Sequence, residues 1–123
     1  MRPDIPRLRG DIWDVEFDPA QPGEVAKTRP AVIVSNDGAN RAALRARAGG
    51  VLVVVPITSN IANVLTFQTR LPADDLTGLT TESKTQPEQL RAVHVRRLVR
   101  RRGALNAEQQ AALDAAITDH LAL

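Results

Sequence analysis

The apolar positions of this chain fall into short runs of two kinds, separated by prolines and glycines. Over 11–18 (DIWDVEFD), Trp13, Val15 and Phe17 alternate with Asp14, Glu16 and Asp18, a period of two that predicts a half-buried antiparallel strand. In 31–34 (AVIV) and 51–55 (VLVVV) every position is apolar, which predicts buried strands, the second covered on both faces. Pro30 pushes Arg29 toward an extended backbone and so leads a charged step into the first run. Pro56 removes one ladder hydrogen bond after the second, predicting a change of pairing, with 57–60 (ITSN) as a polar tip. Alternation returns over 66–71, with Phe67, Thr69 and Leu71 on one face and Thr66, Gln68 and Arg70 on the other. Segment 83–91, interrupted by Pro87, reads as an edge strand, and 99–105 as a further strand.

Helical signals are fewer. Asn36 or Asp37 can cap a stretch over 40–48 that Gly49–Gly50 ends. Asn106 with Gln109 forms a capping box ahead of Leu113, Ile117 and Leu121 at four-residue spacing, predicting a terminal helix. The sum is an α+β chain: five or so antiparallel strands in a small barrel-like sheet, a C-terminal helix and a short one. It reads as one domain over 1–123, with 1–8 as a loose leader and 18–27 as a loop longer than a tight hairpin needs.

Composition narrows the chemistry mainly by exclusion. There is no cysteine, so disulfides and thiolate catalysis are out, and a cytoplasmic setting is compatible. The longest apolar run, 51–57, has a strand's length, against roughly 20 residues for a membrane helix. The polar, proline-broken start MRPDIPRLRG does not read as a signal peptide. Net charge is only +2 but uneven: Asp11, Asp14, Glu16, Asp18 and Glu24 lie early, and Arg91, Arg96, Arg97, Arg100, Arg101 and Arg102 lie late. That run permits a polyanion partner, and a solvated edge is its plainer reading. One tryptophan and two phenylalanines are too few for a base-stacking platform. His94 and His120 read as structural, and Asp74–Asp75 has the spacing of a turn. No metal set, phosphate loop or nucleophile elbow is present, so no cofactor is expected.

What remains is a polar set at strand ends: Arg29, with Lys27 close in sequence, and Thr58–Ser59–Asn60. Arginine holds its proton, so its natural part is to clamp phosphate, and a threonine hydroxyl can donate to the same oxygens. On RNA such a pair needs no nucleophile of its own, because the 2′-OH supplies one. The plain alternative is polar strand ends.

The segments RGDIWDVEFDP, KTRPAVIVSND, VVPITSN, FQTRLP, GLTTESKTQPEQLRAV and RRLVRRRGAL, in that order, resemble the MazF/PemK family of toxin endoribonucleases from Arg9 to the terminal helix. The resemblance implies a homodimeric SH3-like antiparallel barrel of about five to seven strands with one or two short helices. It implies sequence-specific, metal-independent cleavage of single-stranded RNA by 2′-OH attack, leaving 2′,3′-cyclic phosphate and 5′-OH ends. A labile antitoxin whose tail occupies the RNA groove, a cytoplasmic location and no membrane contact follow from it too. It places the catalytic pair on Arg29 and Thr58, Gln89 along the groove, and Glu24 and Lys27 on the loop that covers it. Ser59, Asn60 and Gln68 complete the candidate RNA contacts. Lys84 and Pro87 depart from the family's usually apolar segment. The same barrel also supports toxins that bind DNA gyrase, which have no need to present Arg29 and Thr58 together.

Overall fold

The computed structural model describes residues 5–18, 22 and 27–123. In chain order the elements are β1 (Asp11–Asp18), β2 (Lys27–Ile33), α1 (Asp37–Arg45), β3 (Val51–Thr58), β4 (Arg70–Leu71) and β5 (Ser83–Thr85). A 3-10 turn (Pro87–Gln89), β6 (Arg91–His94), a second 3-10 turn (Val95–Arg97), β7 (Leu98–Ala104) and α2 (Ala107–Leu121) follow. Seven strands form one curled sheet in the order β4-β5-β3-β2-β1-β7, with β6 also paired to β3. Each of these pairings is antiparallel, which is the small barrel-like α+β sheet the pattern predicts. Beyond β7, the Ala104 N–H donates to the Leu76 carbonyl at 2.9 Å and curls the sheet further. That approach requires glycine. A Cβ on Gly78 (φ +67°) would sit 1.9 Å from the Arg102 carbonyl oxygen, and one on Gly103 would sit 2.1 Å from that of Leu76.

The two faces of the sheet bury two separate cores. Trp13, Val15, Ala31, Ile33, Leu52 and Val54 pack with Ala43 of α1 and with Val93, Val95 and Leu98. Ile12, Val32, Val55 and Ile57 pack on the other side with Leu71, Leu79 and Leu113 of α2. β1 is therefore more buried than simple alternation requires, since Ile12 is as fully enclosed as Val15. β3 serves both cores, as its unbroken apolar run demands.

Local signals account for most element ends. The Asn36 side chain caps α1 by accepting from the Ala39 N–H at 2.8 Å, and the helix runs 37–45 rather than 40–48. The capping box of α2 is complete, with Asn106 and Gln109 each accepting from the other's backbone. Arg9 joins three elements: its backbone N–H donates to Asp37, its Nε to the Val34 carbonyl, and its guanidinium to Asp114 of α2 at 2.6 Å. Burial raises the Asp114 carboxyl, but hydrogen bonds from Arg9 and Gln110 and the Arg9 charge outweigh it and hold the group below the ordinary carboxylate value.

Several boundaries differ from the sequence expectation. β2 starts at Lys27, so Arg29 lies inside a strand, opposite Val15, instead of before one. Pairing to β1 extends it, because β1 supplies a full-length edge that the apolar run alone does not reveal. β3 continues through Pro56 to Thr58 by exchanging partners, pairing β6 over Val51–Val54 and β5 at Ile57 and Thr58. The strand expected over 66–71 shortens to Arg70–Leu71, and segment 83–91 divides around Pro87 into β5, a turn and β6.

Candidate active site

Two prolines open the sheet where the candidate residues lie. Val34 donates its N–H to the Val53 carbonyl, so the even positions of β2 point their backbone groups toward β3. Pro30 is one of these, and it has no N–H to give. The β2–β3 ladder accordingly stops at Ala31 paired with Pro56. Continuing that antiparallel register by two residues sets Arg29 across from Thr58. On the opposite edge of β3 the Pro56 carbonyl accepts from the Gln86 N–H at 2.9 Å, where partnership passes from β6 to β5. The strand ends part, and a cleft of about 440 Å³ opens between them.

Arg29 and Thr58 line this cleft together with Ser59, Asn60 and, from the facing wall, Thr81 and Arg102. Thr28, Thr80 and Ser83 add further hydroxyls, and among the described residues the lining contains no carboxylate. The Arg29 side chain is exposed and has no ion pair or hydrogen bond among the described residues. The Thr58 hydroxyl accepts from the Asn60 N–H at 3.2 Å, which leaves its own O–H free to donate outward. That same bond folds Ser59 and Asn60 into the lip of the cleft, and Asn60 Oδ1 accepts from the Ala62 N–H.

Arg29 also lines a second cleft of about 290 Å³ on the other side, with Phe17, Gln86, Gln89 and Arg91. Arg29 is thus the residue the two clefts share, and Asp18 adds a carboxylate to the second. Gln89 is exposed there, and the Arg91 guanidinium stacks 5.1 Å over the Phe17 ring. Lys27 opens β2 opposite Asp18, exposed and beyond the lining of either cleft. Glu24 lies outside the described residues.

Gln68 requires a correction. The expected strand would turn it to solvent, but it is buried, 8% exposed. Its Oε1 accepts from the Leu65 N–H, and its Nε2 donates to Glu88 at 2.8 Å, tying the loop before β4 to the Pro87–Gln89 turn. The loop abandons strand geometry because a side chain, not a neighbouring strand, satisfies its backbone. Lys84 is likewise buried, its ammonium donating to the Asn63 carbonyl of the same loop. Neither histidine lines either cleft. His94 Nδ1 accepts from the Arg96 N–H and its Nε2 meets the Ala48 carbonyl, while the His120 ring stacks 6.3 Å from Phe67. Among the described residues, no three His, Cys, Asp or Glu side chains group as a metal-binding set. Sequence reasoning misses Arg102, since nothing local separates it from Arg100 or Arg101.

The model of a family described as PemK-like, MazF-like toxin of type II toxin–antitoxin system matches residues 8–121. Over 115 residues the chain is 49% identical to endoribonuclease MazF9 of Mycobacterium tuberculosis, covering 94% of this chain and 96% of that one. The solved structure of Mycobacterium tuberculosis toxin MazF-mt6 superposes with a TM-score of 0.71 at 26% identity, over 92% of this chain and 97% of the other. A chain of the Deinococcus radiodurans MazE–MazF crystal structure (Form-II) gives 0.77 at 21% identity, covering 98% and 99%, a likeness of fold.

Proposed function

The chain belongs to the PemK-like, MazF-like toxins of type II toxin–antitoxin systems, and from that premise we propose that it is a single-domain, sequence-specific endoribonuclease that cuts single-stranded RNA without a metal. The observation that carries this reading is the unpartnered Arg29 guanidinium set across the proline-opened gap from a Thr58 hydroxyl free to donate. A scissile phosphate seated between them meets a fixed positive charge and a hydrogen-bond donor. Both strengthen as negative charge gathers on the phosphoryl oxygens.

The 2′-oxygen attacks phosphorus, the bond from phosphorus to the 5′-oxygen breaks, and a 2′,3′-cyclic phosphate remains on the upstream strand. The 2′-OH proton passes to water, and the departing 5′-oxygen takes a proton from water held by Arg29, leaving a 5′-OH. Catalysis is then chiefly electrostatic, in keeping with a lining that holds hydroxyls and guanidiniums. Ser59, Asn60 and Gln89 contact the RNA on either side of the cut, and Lys27, the first residue of β2, completes the RNA contacts together with Glu24. Gln68, tied to Glu88, positions the Gln89 turn rather than touching RNA.

The toxin works in the cytoplasm as a homodimer, and its cognate antitoxin blocks the same groove. The test is digestion of a long RNA in EDTA with mapping of the ends. The expected products carry 5′-OH and cyclic phosphate termini, and Arg29→Ala gives none while melting as the parent does. A metal requirement, 5′-phosphate ends or full activity in Arg29→Ala overturns the mechanism.

A further inference from the structure

We infer that Arg102 is a second phosphate-binding residue of the cleft, taking the RNA phosphate adjacent to the scissile one. The inference rests on the reading of the cleft as an RNA site. β7 pairs with β1 as Ile12 to Gly103 and Trp13 to Arg101, so Arg102 is the extra residue of a β-bulge with no partner of its own in the ladder. A bulge breaks strict alternation and re-aims the side chain, and here Arg102 lines the same cleft as Arg29 and Thr58. Its side chain is only 15% exposed, whereas that of Arg100 is 64% exposed.

The electrostatics of this wall leave a positive charge over. Asp14 lies between two guanidiniums, its Oδ1 3.5 Å from the Nε of Arg102 and its Oδ2 3.6 Å from the Nε of Arg100. One carboxylate for two cations leaves one charge unbalanced. The Arg102 contact is also an ion pair without hydrogen-bond alignment, because its buried Nε has no hydrogen-bond partner. Asp14 orients the side chain and does not saturate it, so the terminal nitrogens remain available to an anion. With Arg29 in the same lining, the cleft presents two guanidiniums from different strands to one polyanion.

The experiment measures binding of a 2′-O-methyl RNA strand, which has no 2′-OH and so stays uncut, across a salt series. Each phosphate neutralised on a single strand contributes about −0.7 to the slope of log K against log [salt]. Arg102→Gln is expected to flatten the slope by about 0.7 and weaken binding roughly tenfold at low salt, while Arg102→Lys keeps the slope. Arg45→Gln, which removes an exposed guanidinium on α1 outside both clefts, should leave both unchanged. On a cleavable RNA, Arg102→Gln should raise KM much more than it lowers kcat. A purely structural role would lower the melting temperature with the slope intact, and that result overturns the inference. An unchanged slope with cleavage intact overturns Arg102 alone. Failure of the parent protein to bind the strand at low salt overturns both the inference and the RNA reading.

Discussion

The β2–β3 cleft and the β1–β7 seam both carry arginines and treat them in opposite ways. Along the seam, arginines meet partners: Arg101 bridges Asp11 at 3.2 Å, Arg100 and Arg102 share Asp14, and Arg97 donates to the Glu16 carbonyl. The acidic early strand and the basic late one look like separate patches in the sequence. Antiparallel pairing lays one against the other. At the cleft a single arginine stands without a partner beside a half-buried threonine. Density of charge marks a seam of the fold, and absence of compensation marks the candidate site.

Mutations on the two sides should therefore separate activity from stability. The largest effect belongs to Arg29→Ala. Loss of one preorganised charge on the transition state costs about 3–4 kcal/mol, at least a hundredfold in kcat on a defined single-stranded RNA, while thermal melting stays within a degree or so. Thr58→Val comes next, with cleavage falling roughly tenfold to a hundredfold for a lost hydrogen bond to a charged group, and the fold intact.

On the seam the pattern should invert. The Asp11 carboxylate is buried and accepts from both Arg101 and the Leu8 N–H, so Asp11→Ala should destabilise by about 1–3 kcal/mol in urea while kcat on folded protein holds. Loss of activity without loss of stability in Asp11→Ala would erase the distinction.

The smallest effect is a pH dependence remote from both regions. Burial raises the Asp114 carboxyl, but its Arg9 and Gln110 hydrogen bonds outweigh that and lower it. Its folded pKa therefore lies below the unfolded one, so its stabilisation is present above the ordinary carboxylate range and disappears as pH falls through the folded value. Because the pair is partly exposed, the effect belongs with surface ion pairs, about 0.2–1 kcal/mol. Urea midpoints of the parent and Asp114→Asn should converge in acid. Neutral-pH cleavage should match in both, and His94→Ala and His120→Ala should cleave as the parent does.

Much of the fold is legible in the residue pattern. Alternation at 11–18, the apolar runs, the pairing change at Pro56 and the capping box at Asn106 all arise from backbone hydrogen bonding over a few residues, and each appears in place. Arg29 and Thr58 are legible because each borders a run that can only be a buried strand. Gln68 is not, because its loop is held by a side chain twenty residues away, a tie with no local signature.

The sequence alone thus determined the elements, the two strand-end candidates and the classes of chemistry that composition forbids. The tertiary structure decided which charges are neutralised. It laid Asp11 and Asp14 against the arginine run, turned Gln68 inward, and used a bulge to select Arg102 from three consecutive arginines. The physical reason is range: periodicity and capping act within one turn or one strand. Register between strands some ninety residues apart is settled only when the whole sheet has closed over its two cores.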